Sequence, residues 1–358
     1  MSARRAPPAG LAAAVPPCIV AAAAGAEAED AAAAVGDEEA MVMRSHMVAL
    51  RDMLSGRLGA LLLALLLSTP VGARAAGQPV PQQDFASPQD ATDALIGALQ
   101  RDDRTAFAAL MGPEGSRLLA SGDPIADDNA RKGFLAAYAE KHSLTVQPDD
   151  HAVLVAGAND WPLPIPIVQT NGRWHFDTHA GAQEIINRRI GRNEVGTIRT
   201  LLAIDDAEAE YKTATGAYAA RLLSSAGAQD GLYWPAEPGA PESPLGPLVD
   251  QAIDEGYPGA VEAGKQIPYH GYFFRVLKSQ GPSADGGRMS YLVGGRQTGG
   301  FAVLAWPASY GSSGIMTFQM NQDGVVFQKD LGPDSAKRAA ATGTFDPDLS
   351  WARVDITP

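Results

Sequence analysis

The sequence predicts an α+β fold, and three observations predict it. Apolar residues recur at helical spacing through residues 88–111 and 182–213. Asn171-Gly172 separates two short apolar runs, the strongest local hairpin signal, because a type I′ turn needs positive φ at both positions. From Tyr269 onward the chain reads as short apolar runs broken by Gly, Ser and Asp. Helices followed by a small antiparallel sheet, then a long helix followed by a meander, divide the chain into α+β units over 76–177 and 178–358.

Residues 1–52 are Ala-rich with an acidic patch and read as an extension ahead of the true start, for which Met41, Met43, Met47 and Met53 are candidates. Residues 53–75 have the form of a secretory signal peptide. Arg57 supplies the positive end, 58–67 the apolar run, and Ala73, Arg74 and Ala75 a small-x-small cleavage site. The expected destination is the periplasm or the cell exterior; an uncleaved segment would be an N-terminal anchor. No other segment is long and apolar enough to span a bilayer, so no stable span is expected after cleavage.

Ser87 is a helix N-cap with Pro88 at the first helical position, and Ala91, Ala94, Leu95, Ala98 and Leu99 form one apolar stripe. Phe107, Leu110 and Met111 predict a second short helix, and 131–141 a third. Residues 151–156 read as a strand, and 164–170 and 173–178 as the two arms of the hairpin. The helix over 182–213 would span about 45 Å. Gly191 and Gly196 each weaken it by about 1 kcal/mol relative to Ala, which predicts a bend or break; Gly216 is its natural stop. Residues 230–268 are a Pro/Gly-rich insertion with one short helix at 245–255. Five strands are expected at 271–277, 289–295, 299–308, 314–320 and 324–331.

Composition excludes several chemistries. The one cysteine, Cys18, lies in the leader, so the exported chain has no disulfide, thiolate nucleophile or Cys-based zinc site. The net charge is −13; six arginines and seven carboxylates precede Gly77, which leaves −12 after cleavage. Such a surface repels phosphate backbones, so nucleic acid is not an expected partner. No G-x-S-x-G surrounds any serine, and Gly311-Ser312-Ser313-Gly314 reads as a turn before a strand, not a phosphate cradle. No catalytic residue and no cofactor is expected.

DTHAGAQEIINRRIGRNE (177–194), AGAQDGLYWP (226–235), SPLGPL (243–248), PYHGYFFRVL (268–277), GGFAVLAWPASYGSSGIMTF (299–318) and DGVVFQKDLGPDS (323–335) together resemble the secreted bacterial DUF2950 family. The resemblance covers about 85–351 and implies export, but no defined reaction. Residues 197–219, 271–277 and 300–327 are similar to the soluble part of type IV pilin-like and pseudopilin proteins, which implies a long helix laid across an antiparallel sheet. Pilin helices begin with a long apolar stretch, whereas 184–194 is charged here, so filament assembly by the usual route is not implied. The first unit resembles the cone-shaped nuclear-transport-factor-2-like domains, which implies room for a small ligand.

The most polar stretch is WHFDTHAGAQEIINRRIGRNE, residues 174–194. On a strand His175, Asp177 and His179 share one face and could ligate a metal with Glu184 as a fourth ligand. A helix start at Thr178 or its neighbour would end that strand near Asp177 and turn His179 away, so hydrogen-bonded histidines without metal are the preferred reading. Glu184 and Arg188, Arg188 and Arg192, and Arg189 and Asn193 stand four apart on shared helix faces. The cluster Asp177, Glu184, Arg188, Arg189, Arg192 and Glu194 is therefore read as an ion-pair network joining the two units, or as a site for a carboxylate or other anion. His270 among Tyr269 and Tyr272 could act as an acid/base group but reads first as structural. Tyr233-Trp234 reads as packing before it reads as a stacking platform. The expected function is an exported, non-enzymatic envelope protein, a binding or assembly module for another envelope protein. The alternative is a small-molecule (carboxylate or anion) binder, or a hydrolase, using a pocket in the first unit lined by Trp161, Trp174 and the arginines.

Overall fold

The computed structural model describes residues 81–148, 150–236, 239–258 and 266–355. The expected extension and signal peptide lie outside them, as do parts of the 230–268 insertion. The fold is α+β, with the described strands paired antiparallel.

Helix α1 (Pro88–Gln100) starts where expected, with the Ser87 hydroxyl accepting from Asp90 N at 3.1 Å. Helix α2 (Arg104–Met111) leads through a 3₁₀ turn (Gly115–Leu118) to α3 (Pro124–Glu140). Strands β1 (His142–Gln147), β2 (His151–Ala156), β4 (Ile167–Thr170) and β5 (Arg173–Phe176) pair in that order, with β3 (Trp161–Pro162) beside β2. Asn171 and Gly172 have φ of 54° and 75°, the left-handed pair the hairpin requires. Leu95, Leu99 and Phe107 pack with Leu154, Ile167 and Phe176 in one apolar core.

Helix α4 (Thr178–Thr215) is continuous over 38 residues and ends on Gly216 in the left-handed region, φ 76°. Gly191 and Gly196 do not break it, because packing overrides their weak helix propensity. Ile186 and Ile190 belong to the first core, whereas Leu201, Ile204 and Ala207 belong to a second. Glycine is required at position 181 instead, where a Cβ would stand 2.2 Å from the Pro164 carbonyl oxygen.

Beyond α5 (Gly246–Asp254) the main sheet forms. It contains β6 (Tyr272–Leu277), β11 (Ala302–Pro307), β12 (Met316–Asn321), β13 (Val326–Asp330) and β14 (Ala352–Arg353), ordered β14-β13-β12-β11-β6. Val303, Phe318, Met320 and Val326 meet α4 in the second core. The expected strand 289–295 does not join this sheet. It splits into β8 (Met289–Ser290), paired with β7 (Ser279–Gln280), and β9 (Leu292–Val293), paired with β10 (Arg296–Gln297). Tyr291 between them is fully buried and donates to Gln280 Oε1 at 3.1 Å. β6 therefore pairs directly with β11. The last described helix, α6 (Ser335–Ala341), packs on β11.

Candidate functional site

The structure separates His175, Asp177 and His179, the possible metal ligands that the sequence places side by side. Asp177 is the N-cap of α4, its carboxylate accepting from Ala180 N at 3.1 Å. His175 Nδ1 lies 3.8 Å from Asp84, and His179 Nδ1 lies 3.5 Å from Glu114. The three diverge because β5 stops at Phe176 and the helix begins. No group of three metal-ligating side chains converges among the described residues.

Glu184 and Arg188 form the expected i,i+4 pair at 2.6 Å, exposed, and the Arg188 guanidinium lies 5.8 Å from the Trp161 ring centre. Arg189 is half-buried and meets backbone where a carboxylate was expected. It donates to Arg117 O at 3.3 Å, to Leu118 O, and to Ser312 Oγ at 3.4 Å. Burial holds its guanidinium below the usual arginine range, with the nearby Asp127 countering the shift. One turn on, Asn193 Nδ2 donates to Ser313 O at 2.8 Å, and Glu194 Oε1 accepts from both Ile315 N and Met316 N at 3.0 Å. Burial, with Glu194 close by, pushes the Tyr272 phenol up. The inner face of α4 is thus a polar bracket. It clasps the 3₁₀ turn at one end and the Gly311-Ser312-Ser313-Gly314 turn at the other, mostly through main-chain groups. Arg192 stays exposed.

A second bracket joins His270 and Tyr269, which the sequence singles out, to Asp123, whose one local signal is an Asp-Pro helix start. Asp123, fully buried, caps α3 by accepting from Ile125 N and Ala126 N. Its other oxygen accepts from Tyr257 OH at 2.9 Å and from Gly271 N at 2.8 Å. Next to it, His270 sits in the left-handed region at φ 48°. Its Nε2 lies 2.6 Å from Glu255, and its ring stacks on Tyr269 at 4.1 Å. Burial, reinforced by Glu255, pushes the Tyr269 phenol up to about 12. A Glu–His couple can hold and pass a proton. Among the described residues no hydroxyl or thiol is hydrogen-bonded to the His270 ring.

Tyr257 and Tyr269 face a cleft of about 390 Å³. Its walls are apolar: Leu222 from the chain after α4, Leu248 and Val249 from α5, Ile267 from the chain before β6, and Phe274 and Val276 from β6 itself. Leu222, Leu248, Val249 and Phe274 are only partly covered where they rest on the second core. The volume falls within the range of small-ligand sites. Trp174, by contrast, is buried in the first core.

A third feature missed by sequence is Glu208, buried on α4. Its Oε2 accepts from Ala219 N at 2.8 Å, whereas Oε1 has no hydrogen-bond partner among the described residues. Burial pushes this carboxyl up to about 8, against the lowering effect of the Ala219 hydrogen bond.

No helix among the described residues is long and apolar enough to cross a membrane. No curated protein matches the chain, and no solved structure matches it. The family model described as a protein of unknown function, DUF2950, matches residues 82–354, most of the 358-residue sequence, and the chain belongs to that family.

Proposed function

We propose that this protein is an exported, non-enzymatic binding or assembly module of the cell envelope, and that it engages another envelope protein through the cleft beside β6. The observation that carries this reading is the cleft: apolar walls next to a Glu255–His270 couple whose ring, among the described residues, is hydrogen-bonded to no hydroxyl or thiol. Export is supported by the form of residues 53–75. An assembly role draws further support from the pilin-like pattern of a long helix against an antiparallel sheet, although a fold alone does not determine function. A small-anion site in the first unit has less support. Arg189 is committed to main-chain carbonyls, Arg188 rests on Trp161, and Trp174 is core.

The test is capture from an envelope extract with the tagged exported chain. The wild type should recover a defined protein, Ala252→Trp in the cleft wall should cut recovery at least tenfold, and Arg188→Ala should leave it unchanged. Thermal-shift screening of carboxylates and divalent metals should move nothing. A shift of several degrees with a small anion, abolished in Arg188→Ala, would replace this reading with the anion-binding one.

A further inference from the structure

The first sheet has two edges, and the fold treats them differently. At β5 the edge is closed by the chain's own Phe85, which exchanges both main-chain bonds with Trp174 at 2.7 and 2.9 Å. The β1 edge has no such closure among the described residues. Five of the six β1 residues are exposed, Val146 at 58%, and Leu144 alone is partly covered, where it rests on the first core.

The ladder shows which groups are free. Gly157 N donates to Lys141 O at 2.8 Å, and the pairing with β2 then runs without a bulge from His142 to Gln147. Bonded and non-bonded pairs alternate along an antiparallel ladder, so Ser143, Thr145 and Gln147 spend their N–H and C=O groups on β2. His142, Leu144 and Val146 aim theirs outward, where none is hydrogen-bonded among the described residues. An edge is ordinarily blunted by charge, proline, a bulge or a covering element. Between His142 and Gln147 there is no Lys, Arg, Asp, Glu or Pro.

The strand is also complementary to itself. In an antiparallel pair with a second copy, outward residues must face outward residues. A two-fold axis at Leu144 sets His142 opposite Val146 of the second copy and uses every free group. A shift of two residues one way brings His142 against Pro148, which has no N–H; the other way it brings Val146 against Glu140, the end of α3. In the centred register Val146 covers the His142 ring, which stacks on Tyr138 of α3 at 3.8 Å. On the opposite face Ser143 meets Thr145, hydroxyl to hydroxyl. In a chain of net charge −13, a strand without carboxylates lets two copies meet with no like charges directly opposite. We propose that the protein self-associates through β1, joining the first sheets of two copies into one antiparallel sheet about a two-fold axis at Leu144. One short strand is a small contact beside the roughly 800 Å² per partner of a standard interface, so the dimer is reversible. This surface is separate from the cleft, and the proposal does not rest on it.

The experiment is sedimentation equilibrium of the full exported chain from micromolar to millimolar concentration, joined to disulfide trapping. Beyond the leader the chain has no cysteine, so introduced thiols report alone. The wild type should dimerise reversibly. Val146→Lys, a charge at an exposed edge position, should weaken association at least tenfold. Val146→Pro, which removes one outward N–H and no bond to β2, should do the same. Val195→Lys, at an exposed apolar position on α4, should leave association unchanged. Ser143→Cys and Thr145→Cys chains, mixed, should form a crossed disulfide at least tenfold faster than either chain alone. Undiminished association of Val146→Lys, or faster trapping in either single variant, would overturn the proposal. A wild type that stays monomeric would overturn it too. If the His142, Leu144 and Val146 amides of that monomer then exchange more slowly in an envelope extract, the edge belongs to a different protein.

Discussion

At Glu208 the fold holds a carboxyl group out of water with one oxygen unpartnered among the described residues. Its folded-state value of about 8 lies above the ordinary 4.5, so the protonated form is the one the fold favours. The stability this confers is complete below about pH 4.5 and is lost as pH rises toward 8, at roughly 1.4 kcal/mol per pH unit inside that window. Asp205 on the same helix is also raised, by burial and then by Asp206 and Asp323, and acts with the same sign. Urea unfolding at pH 5.5 and pH 8 should show the wild type losing stability across the interval and Glu208→Gln losing clearly less; equal losses would contradict the assignment. Arg189 and Arg188 make a second contrast. Arg189→Ala leaves two main-chain carbonyls without their donor and should cost about 1.5–3 kcal/mol, only partly restored by Arg189→Lys, whose ammonium lacks the planar fork. Arg188→Ala breaks an exposed pair and should change stability by no more than about 0.5 kcal/mol.

Helix α4 shows what was legible at the scale of elements. Its apolar stripe and Gly216 stop are plain in the sequence, as are the start of α1 at Ser87 and Pro88 and the Asn171-Gly172 turn, because each is a local signal of strong period or special φ. Its passage through Gly191 and Gly196 was not legible, since two separate cores hold the two ends of one helix. Strand β1 escaped because nearly every residue in it is exposed, leaving no apolar alternation to read. The charged cluster was visible as composition, but its partners were not. Arg189 bonds main chain 72 residues earlier and Glu194 main chain 121 residues later, distances that no spacing rule covers. The cleft escaped too, because it needs α5, β6 and the chain after α4 brought together. Two glycines on α4 test the packing. Gly181→Ala drives a Cβ into the Pro164 carbonyl and should destabilise by several kcal/mol, whereas Gly191→Ala, which meets nothing within 4 Å, should stabilise by about 1 kcal/mol. Thermal unfolding of the two variants checks both signs.

For the whole molecule, the proposal joins export to recognition. Intact-mass measurement on protein recovered from the producing cell should give a chain beginning near Ala76; a mass that retains residues 58–67 would contradict cleavage. Recognition itself is tested most directly by photocrosslinking in that cell, with a photoreactive phenylalanine analogue at position 252 in the cleft wall or, for comparison, at position 188 beside Trp161. The cleft position should yield one discrete crosslinked envelope protein and the comparison position none. Crosslinks only at position 188, or equally at both, would contradict the cleft as the site of recognition.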